Sequence, residues 1–222
     1  MHAYKTLSIL LVGMTLALTA PVRAQEVAEP APRGSISAFS GFEFVPSGGA
    51  DVVFAAEYAE HVDRDVQAYV AFTYFENLMS PSLQDEIAAL GTALTAASGV
   101  TWDLHGRDRG ASLLAGAKFF NRSGSRARPY VGAGAGVLNV RRTIRDVRIG
   151  DVTRAVFNDY GIGRAALTDT SDTVPLVEVL AGLGYFAARH TYVDIGYRYR
   201  RAFRLDDGLN LSQVAVGVGY RF

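Results

Sequence analysis

The chain has 222 residues with 22 basic and 22 acidic side chains, a formal net charge of zero. That length suits one domain, and the balance lacks the basic excess of a nucleic-acid binder. There is no cysteine, which removes disulfides, thiolate metal sites and a lipidated-cysteine anchor. Glycine at 23, with 11 tyrosines and 12 phenylalanines, favours sheets with close backbone approach and aromatic rims.

Residues 1–24 carry the pattern of an export signal. His2 and Lys5 form a short polar start, LSILLVGMTLALTA (7–20) is apolar, and Val22 and Ala24 are the small residues expected before a cut at Gln25. The apolar run is shorter than the roughly 20 residues a spanning helix needs. Cleavage would remove Lys5 and Arg23, leaving 20 basic against 22 acidic side chains. Residues 25–33, QEVAEPAPR, read as a flexible periplasmic lead-in.

From residue 34 to residue 222 the dominant signal is alternation of apolar and polar residues, the mark of a β-strand. SISAFSGFEF sets Ile36, Ala38, Phe42 and Phe44 against Glu43. DVVFAAEYAE sets Val52, Phe54 and Tyr58 against Glu57. VQAYVAFTYF sets Val66, Val70, Phe72 and Tyr74 against Gln67, Tyr69 and Thr73. ASLLAGAKFF, PYVGAGAGV, PLVEVLAGLGY and YVDIGYRYR continue it, with Lys118, Glu178, Asp194, Arg198 and Arg200 on the polar faces. The eighth strand is the chain's end, QVAVGVGYRF, apolar at Val214, Val216, Val218, Tyr220 and Phe222.

Each stretch is about the 9–11 residues that cross a bilayer as a tilted strand. The connections sort by length: EHVDRD, NRSGSRAR and AARHT are short, whereas 77–109 and 142–173 are long. Short turns at one end and long loops at the other are the pattern of barrels with periplasmic turns and extracellular loops. The expected fold is all-β, an eight-stranded antiparallel transmembrane up-and-down barrel. Phe44, Tyr58, Tyr74, Phe119, Tyr130, Tyr185, Tyr192 and Tyr220, near strand ends, are expected to form aromatic girdles.

The cleavable signal, the eight alternating strands, PYVGAGAGV and the closing Tyr220-Arg221-Phe222 resemble the small OmpA/OmpX-like outer-membrane barrels. The resemblance implies residence in the outer membrane and a structural or surface-interaction role, without naming a ligand. It also implies that Val218, Tyr220 and Phe222 serve as the signal read by the barrel-assembly machinery. Outer-membrane lipid and lipopolysaccharide are then the expected surroundings, and no cofactor is expected.

An eight-stranded barrel is just wide enough for side chains to fill. The lumen is expected to hold Glu43, Glu57, Lys118, Glu178, Asp194, Arg198, Arg200 and Arg221 as internal ion pairs. Glu178 should fall opposite Arg198 or Arg200, and Asp194 near Arg221. That predicts a plug; the alternative is a narrow channel or carrier for small or hydrophobic solutes. The run Gly132, Gly134, Gly136 lacks nucleotide-fingerprint spacing and reads as relief of crowding in a strongly curved strand.

In the first long loop, Leu83, Ile87, Leu90 and Leu94 recur at helical spacing, with Ser82 and Asp85 as candidate caps. Trp102 follows as a candidate lipid anchor or partner contact. In the second, Arg141, Arg142, Arg145 and Arg148 cluster where strand five is expected to leave the membrane. Arginine forks suit phosphate, so these four are candidate contacts to lipopolysaccharide. A lipid-modifying enzyme is the least favoured reading. His105 could meet Ser98, Asp103 or Asp108, yet no motif supports a triad, and no catalytic residue or metal ligand is assigned.

Overall fold

The computed structural model describes residues 33–45, 49–121, 126–148, 150–152, 171–203 and 208–222. The expected export signal, nearly all of the lead-in and most of the second long loop lie outside these residues. The elements run β1 (Gly34–Val45), β2 (Gly49–His61), β3 (Val66–Phe75), α1 (Pro81–Ser98), β4 (Leu104–Phe120), β5 (Ala127–Asp146), β6 (Gly150–Asp151), β7 (Ser171–Phe186), β8 (Thr191–Ala202) and β9 (Leu209–Arg221). Successive long strands pair antiparallel, and β1 pairs with β9, setting Ile36 opposite Tyr220 and Phe42 opposite Val214. Eight strands thus close into a barrel with no free edge, while two-residue β6 only folds back on the tip of β5. No described helix is long and apolar enough to cross a membrane; a closed barrel crosses with strands.

The alternation read from the sequence becomes two unlike faces. Outward stand Ile36, Phe42, Phe72, Val131, Val179 and Ile195, with Ile36 58% and Val131 60% exposed. Inward stand Glu43, Glu57, Lys118, Glu178, Asp194, Arg198 and Arg200, all buried. Charges within and a continuous apolar belt without invert the arrangement of a water-soluble protein, where such a patch would be a liability.

Six of the expected girdle residues, Phe44, Tyr58, Tyr74, Phe119, Tyr185 and Tyr220, do face outward. Tyr130 and Tyr192 do not; both are buried in the lumen. Their parity decides it, because Tyr130 shares its face with Gly132 and Tyr192 with Asp194.

The structure extends two strands beyond their apolar stretches. β4 has 17 residues and β5 has 20, against 10 in β3. Residues 104–109 and 142–146, expected in loops, continue the ladder through pairs such as Arg107–Thr143 and Arg109–Arg141. Among the described residues, the hairpin therefore rises beyond the other strands at the far rim, opposite the end where β1 begins and β9 finishes.

Helix α1 lies against the inner face of this raised hairpin. Ile87, Gly91 and Leu94 are its buried residues, and Ile87 and Leu94 cluster with Met79, Leu104, Ile144 and Val152. Its cap is Ser80, whose hydroxyl accepts from the Leu83 amide at 3.3 Å, rather than Ser82 with Asp85. Pro81 explains the shift, since proline suits the first helical position and puts the capping residue one place earlier. At the other end Gly99 adopts φ 69°, and its amide reaches Thr95 O at 3.0 Å. Trp102 is half-buried against this helix, and its indole donates to Ser98 Oγ at 3.2 Å.

Candidate functional site

Near mid-height, charged side chains from strands far apart in the chain meet across the lumen. Glu57 on β2 pairs with Lys118 on β4 and, at 3.0 Å, with Arg198 on β8. Glu178 on β7 stands opposite Arg200 on β8 and accepts from its Nε at 2.6 Å, with Arg198 at 3.8 Å. Arg198 and Arg200 thereby bridge the carboxylates, and Arg200 reaches on toward Glu43 at 3.8 Å and Thr73 Oγ1 at 3.2 Å.

Two tyrosines complete the arrangement. Tyr69 donates to Glu178 at 2.9 Å and Tyr130 to Asp194 at 2.6 Å. Lys118 Nζ lies over both rings, at 5.3 and 5.0 Å. Glycines make this possible: a Cβ on Gly134 would stand 2.5 Å from the Tyr69 hydroxyl, and one on Gly116 2.7 Å. Asp194 therefore turns to Tyr130. Arg221 donates instead to Arg189 O at 2.9 Å and lies over the Phe186 ring at 4.2 Å.

Toward the far end the lumen changes character. Val53, Phe75, Leu78, Leu114, Leu138, Val140, Val174, Leu176, Ala202 and Leu211 form one buried apolar cluster above the charges. Sequence reading passed over this layer because its members sit on the face that otherwise carries charge. The available signal was a large apolar residue at the far-end portion of that face in most strands. Higher still, Asp108 and Arg142 face each other across β4 and β5 and form a two-pronged pair at 2.8 and 2.7 Å.

That pair removes Arg142 from the candidate lipopolysaccharide set. The strand continues where a loop was expected, so its alternation turns Arg142 inward, to 6% exposure, and leaves Arg141 and Arg145 outward. Arg107 and Arg109 on β4 share their face, with His105 opposite Arg145. A shallow pocket lies between the two strands, lined by His105, Arg107, Arg109, Thr143 and Arg145. Arg148, in the turn beyond β5, donates to Thr101 O. Going up this wall, the outer face passes from Leu113 and Val137 to Arg109 and Arg141 within four residues of each strand.

The terminal strand carries Val218, Tyr220 and Phe222 outward, toward the apolar belt. The Phe222 amide donates to Gly34 O at 3.0 Å, and its own carbonyl accepts from Arg33 and Gly34, at 2.9 and 3.1 Å, closing the seam to the last residue. At the enzyme candidates, His105 lies 3.2 Å from Asp103 at the surface, while the Ser98 hydroxyl donates to Leu94 O at 2.7 Å.

The outer membrane protein beta-barrel domain matches residues 10–222, nearly the whole chain. The chain belongs to that family. It is an outer-membrane barrel, as the apolar belt and charged interior require. Among solved structures, the Neisserial surface protein A is 17% identical, covering 85% of this chain and 96% of its own at a TM-score of 0.54. Ail, the attachment invasion locus protein of Yersinia pestis, solved with the heparin analogue sucrose octasulfate, is also 17% identical, covering 87% and 100% at 0.50. The outer membrane enzyme PagL is 12% identical, covering 83% and 97% at 0.42. The first two likenesses show the barrel fold. No curated protein sequence matches the chain.

Proposed function

We propose that this barrel contributes to envelope structure and meets its surroundings through its far end, without passing solutes. The observation that carries this reading is the double closure of the lumen. A bridged layer of Glu57, Glu178, Arg198 and Arg200 lies beneath an apolar layer. An ion entering from the periplasmic turns would have to break buried pairs and then cross a layer with little to replace its hydration. In planar bilayers the purified protein is expected to show no unit conductance, and discrete steps would favour the narrow channel or carrier instead.

At the extracellular rim the outward row Arg107, Arg109, Arg141 and Arg145 is proposed to hold phosphates of lipopolysaccharide. The support is its height on the wall, directly above the apolar belt, and the fit of guanidinium forks to phosphate. Arg107 already meets Glu76 at 3.4 Å, so Arg141 and Arg145 are the better test. Replacing both with glutamine is expected to reduce the lipopolysaccharide that co-purifies with the barrel; unchanged retention sinks the assignment. A role in surface contact is in keeping with the Neisserial surface protein and the Yersinia attachment protein that share the fold. Val218, Tyr220 and Phe222 are proposed to be read by the barrel-assembly machinery, their side chains being presented on the outer face of the closing strand.

No catalytic role is proposed. Ser98, the candidate hydroxyl for the His105–Asp103 pair, is engaged by Leu94 O and the Trp102 indole. A nucleophile would need to lie within hydrogen-bond reach of its base. Purified protein given lipid A is expected to release no acyl chain, and sustained turnover would overturn this.

A further inference from the structure

Among the described residues, the end where β1 begins and β9 finishes holds an unbalanced group of positive charges. Arg128 on β5 and Arg221 on β9 both lie over the ring of Phe186 on β7, at 4.6 and 4.2 Å. Arg64, in the turn between β2 and β3, lines the same pocket with His61 and Tyr192. The pocket is small, with a cavity volume of about 20 Å³, and it opens at the barrel mouth. Short turns mark this as the periplasmic side.

Among the described residues, no carboxylate lies within ion-pair distance of Arg64, Arg128 or Arg221. The acid that borders the pocket, Asp194, is hydrogen-bonded to Tyr130 at 2.6 Å. Lys118 at its floor is committed to Glu57. Asp63 and Asp65 flank Arg64 in its turn, and Asp63 accepts from the Arg64 amide. Arg221 is the most constrained of the three. Its Nη2 donates to Arg189 O at 2.9 Å, while its Nε is buried with no hydrogen-bond partner. Arg128, over the same ring, adds like-charge repulsion. Two guanidiniums on one aromatic, with a buried donor unused, are the framework of an anion site: the ring fixes their planes, and negative charge beside their outer edges offsets the repulsion.

We propose that this periplasmic pocket binds a phosphate-bearing anion, held by Arg128 and Arg221 with Arg64 closing over it. The planar forks match phosphate oxygens two at a time, which a lysine cluster would not. The phosphate could belong to a soluble anion of the periplasm or to an anionic lipid headgroup of the inner leaflet. The cavity itself holds little more than a water, so the anion would sit at its open mouth against the guanidiniums. This inference does not depend on the arginine row at the opposite rim.

The test uses the full mature barrel, refolded in a neutral glycoside detergent, with its arginine Nε–H signals followed by NMR. Titration with inorganic phosphate, at ionic strength held constant with chloride, is expected to shift the Arg128 and Arg221 signals saturably, with half-saturation on the order of 1 mM. Arg221→Gln should weaken binding about tenfold, and Arg128→Gln similarly. Heat-modified gel mobility confirms that each variant is folded, and Arg64→Gln provides a milder variant at an exposed position. A second arm compares nanodiscs of phosphatidylcholine with nanodiscs containing phosphatidylglycerol. Shifts with free phosphate identify a soluble anion, and shifts only with phosphatidylglycerol identify a headgroup; either supports the site. No saturable shift in both arms, or shifts unchanged by Arg128→Gln and Arg221→Gln, overturns it.

Discussion

Glu178→Ala is expected to lower the unfolding free energy of the barrel by about 3–5 kcal/mol, read as a fall in the urea midpoint of the protein in micelles. Glu178 accepts from Arg200 at 2.6 Å and Tyr69 at 2.9 Å and lies 3.8 Å from Arg198. Its removal leaves two guanidiniums, each almost wholly buried, with fewer compensating charges. Breaking one side of a buried pair is costly for that reason, whereas the intact pair adds much less to net stability. Glu178→Gln should fall between the two, because the amide oxygen can still accept while the charge is lost. An alanine variant with the wild-type midpoint would show that the network carries no stability.

Gly134→Ala is expected to cost about 1–3 kcal/mol, the usual range for overfilling a close-packed interior. The added methyl would stand 2.5 Å from the Tyr69 hydroxyl and 3.0 Å from Ala115 O. Tyr69 cannot swing away without surrendering its hydrogen bond to Glu178. Combining Gly134→Ala with Tyr69→Phe removes the nearest clashing atom, so the double variant should lose clearly less than the sum of the singles. Such coupling is expected of residues in direct contact. Additive losses would mean that the glycine is needed for strand curvature alone.

How much of this molecule could be read from its residues follows from what alternation reports. Phe42 beside Glu43, or Tyr58 beside Glu57, declares two faces, and eight such strands with graded connections declare a barrel. Alternation of hydrophobicity reports lipid contact rather than strand, however. Once β4 and β5 climb past Leu113 and Val137, their outward residues become Arg109, Arg107, Arg141 and Arg145, and the apolar stripe stops while the hydrogen-bond ladder continues. The apolar stripe therefore marks these strands shorter than they are, and Arg142 falls by position among its outward neighbours. Tyr130 and Tyr192 match a girdle by residue type, although their parity points inward.

Contacts across the lumen were less accessible still. The opposition of Glu178 and Arg200 follows from a short turn counted outward, but the meeting of Glu57 with Arg198 spans 141 residues of sequence. Such a meeting depends on the stagger between strands all round the barrel, which no single pair of strands reveals. Helix α1 was legible because Leu83, Ile87, Leu90 and Leu94 keep one face. Its burial against Ile144 and Val152 was not, since that needed the extended hairpin.

The height of that hairpin gives the molecule an off-axis profile. At about 3.3 Å per residue and a 45° tilt, the 20 residues of β5 climb about 45 Å, well beyond an apolar band of about 25 Å. The ten residues of β3 barely span the band. Among the described residues, a visitor descending from the medium therefore meets the mast of β4 and β5 before it reaches the shorter strands on the opposite flank. Neighbouring copies packed side by side would likewise touch at different levels depending on how each is rotated.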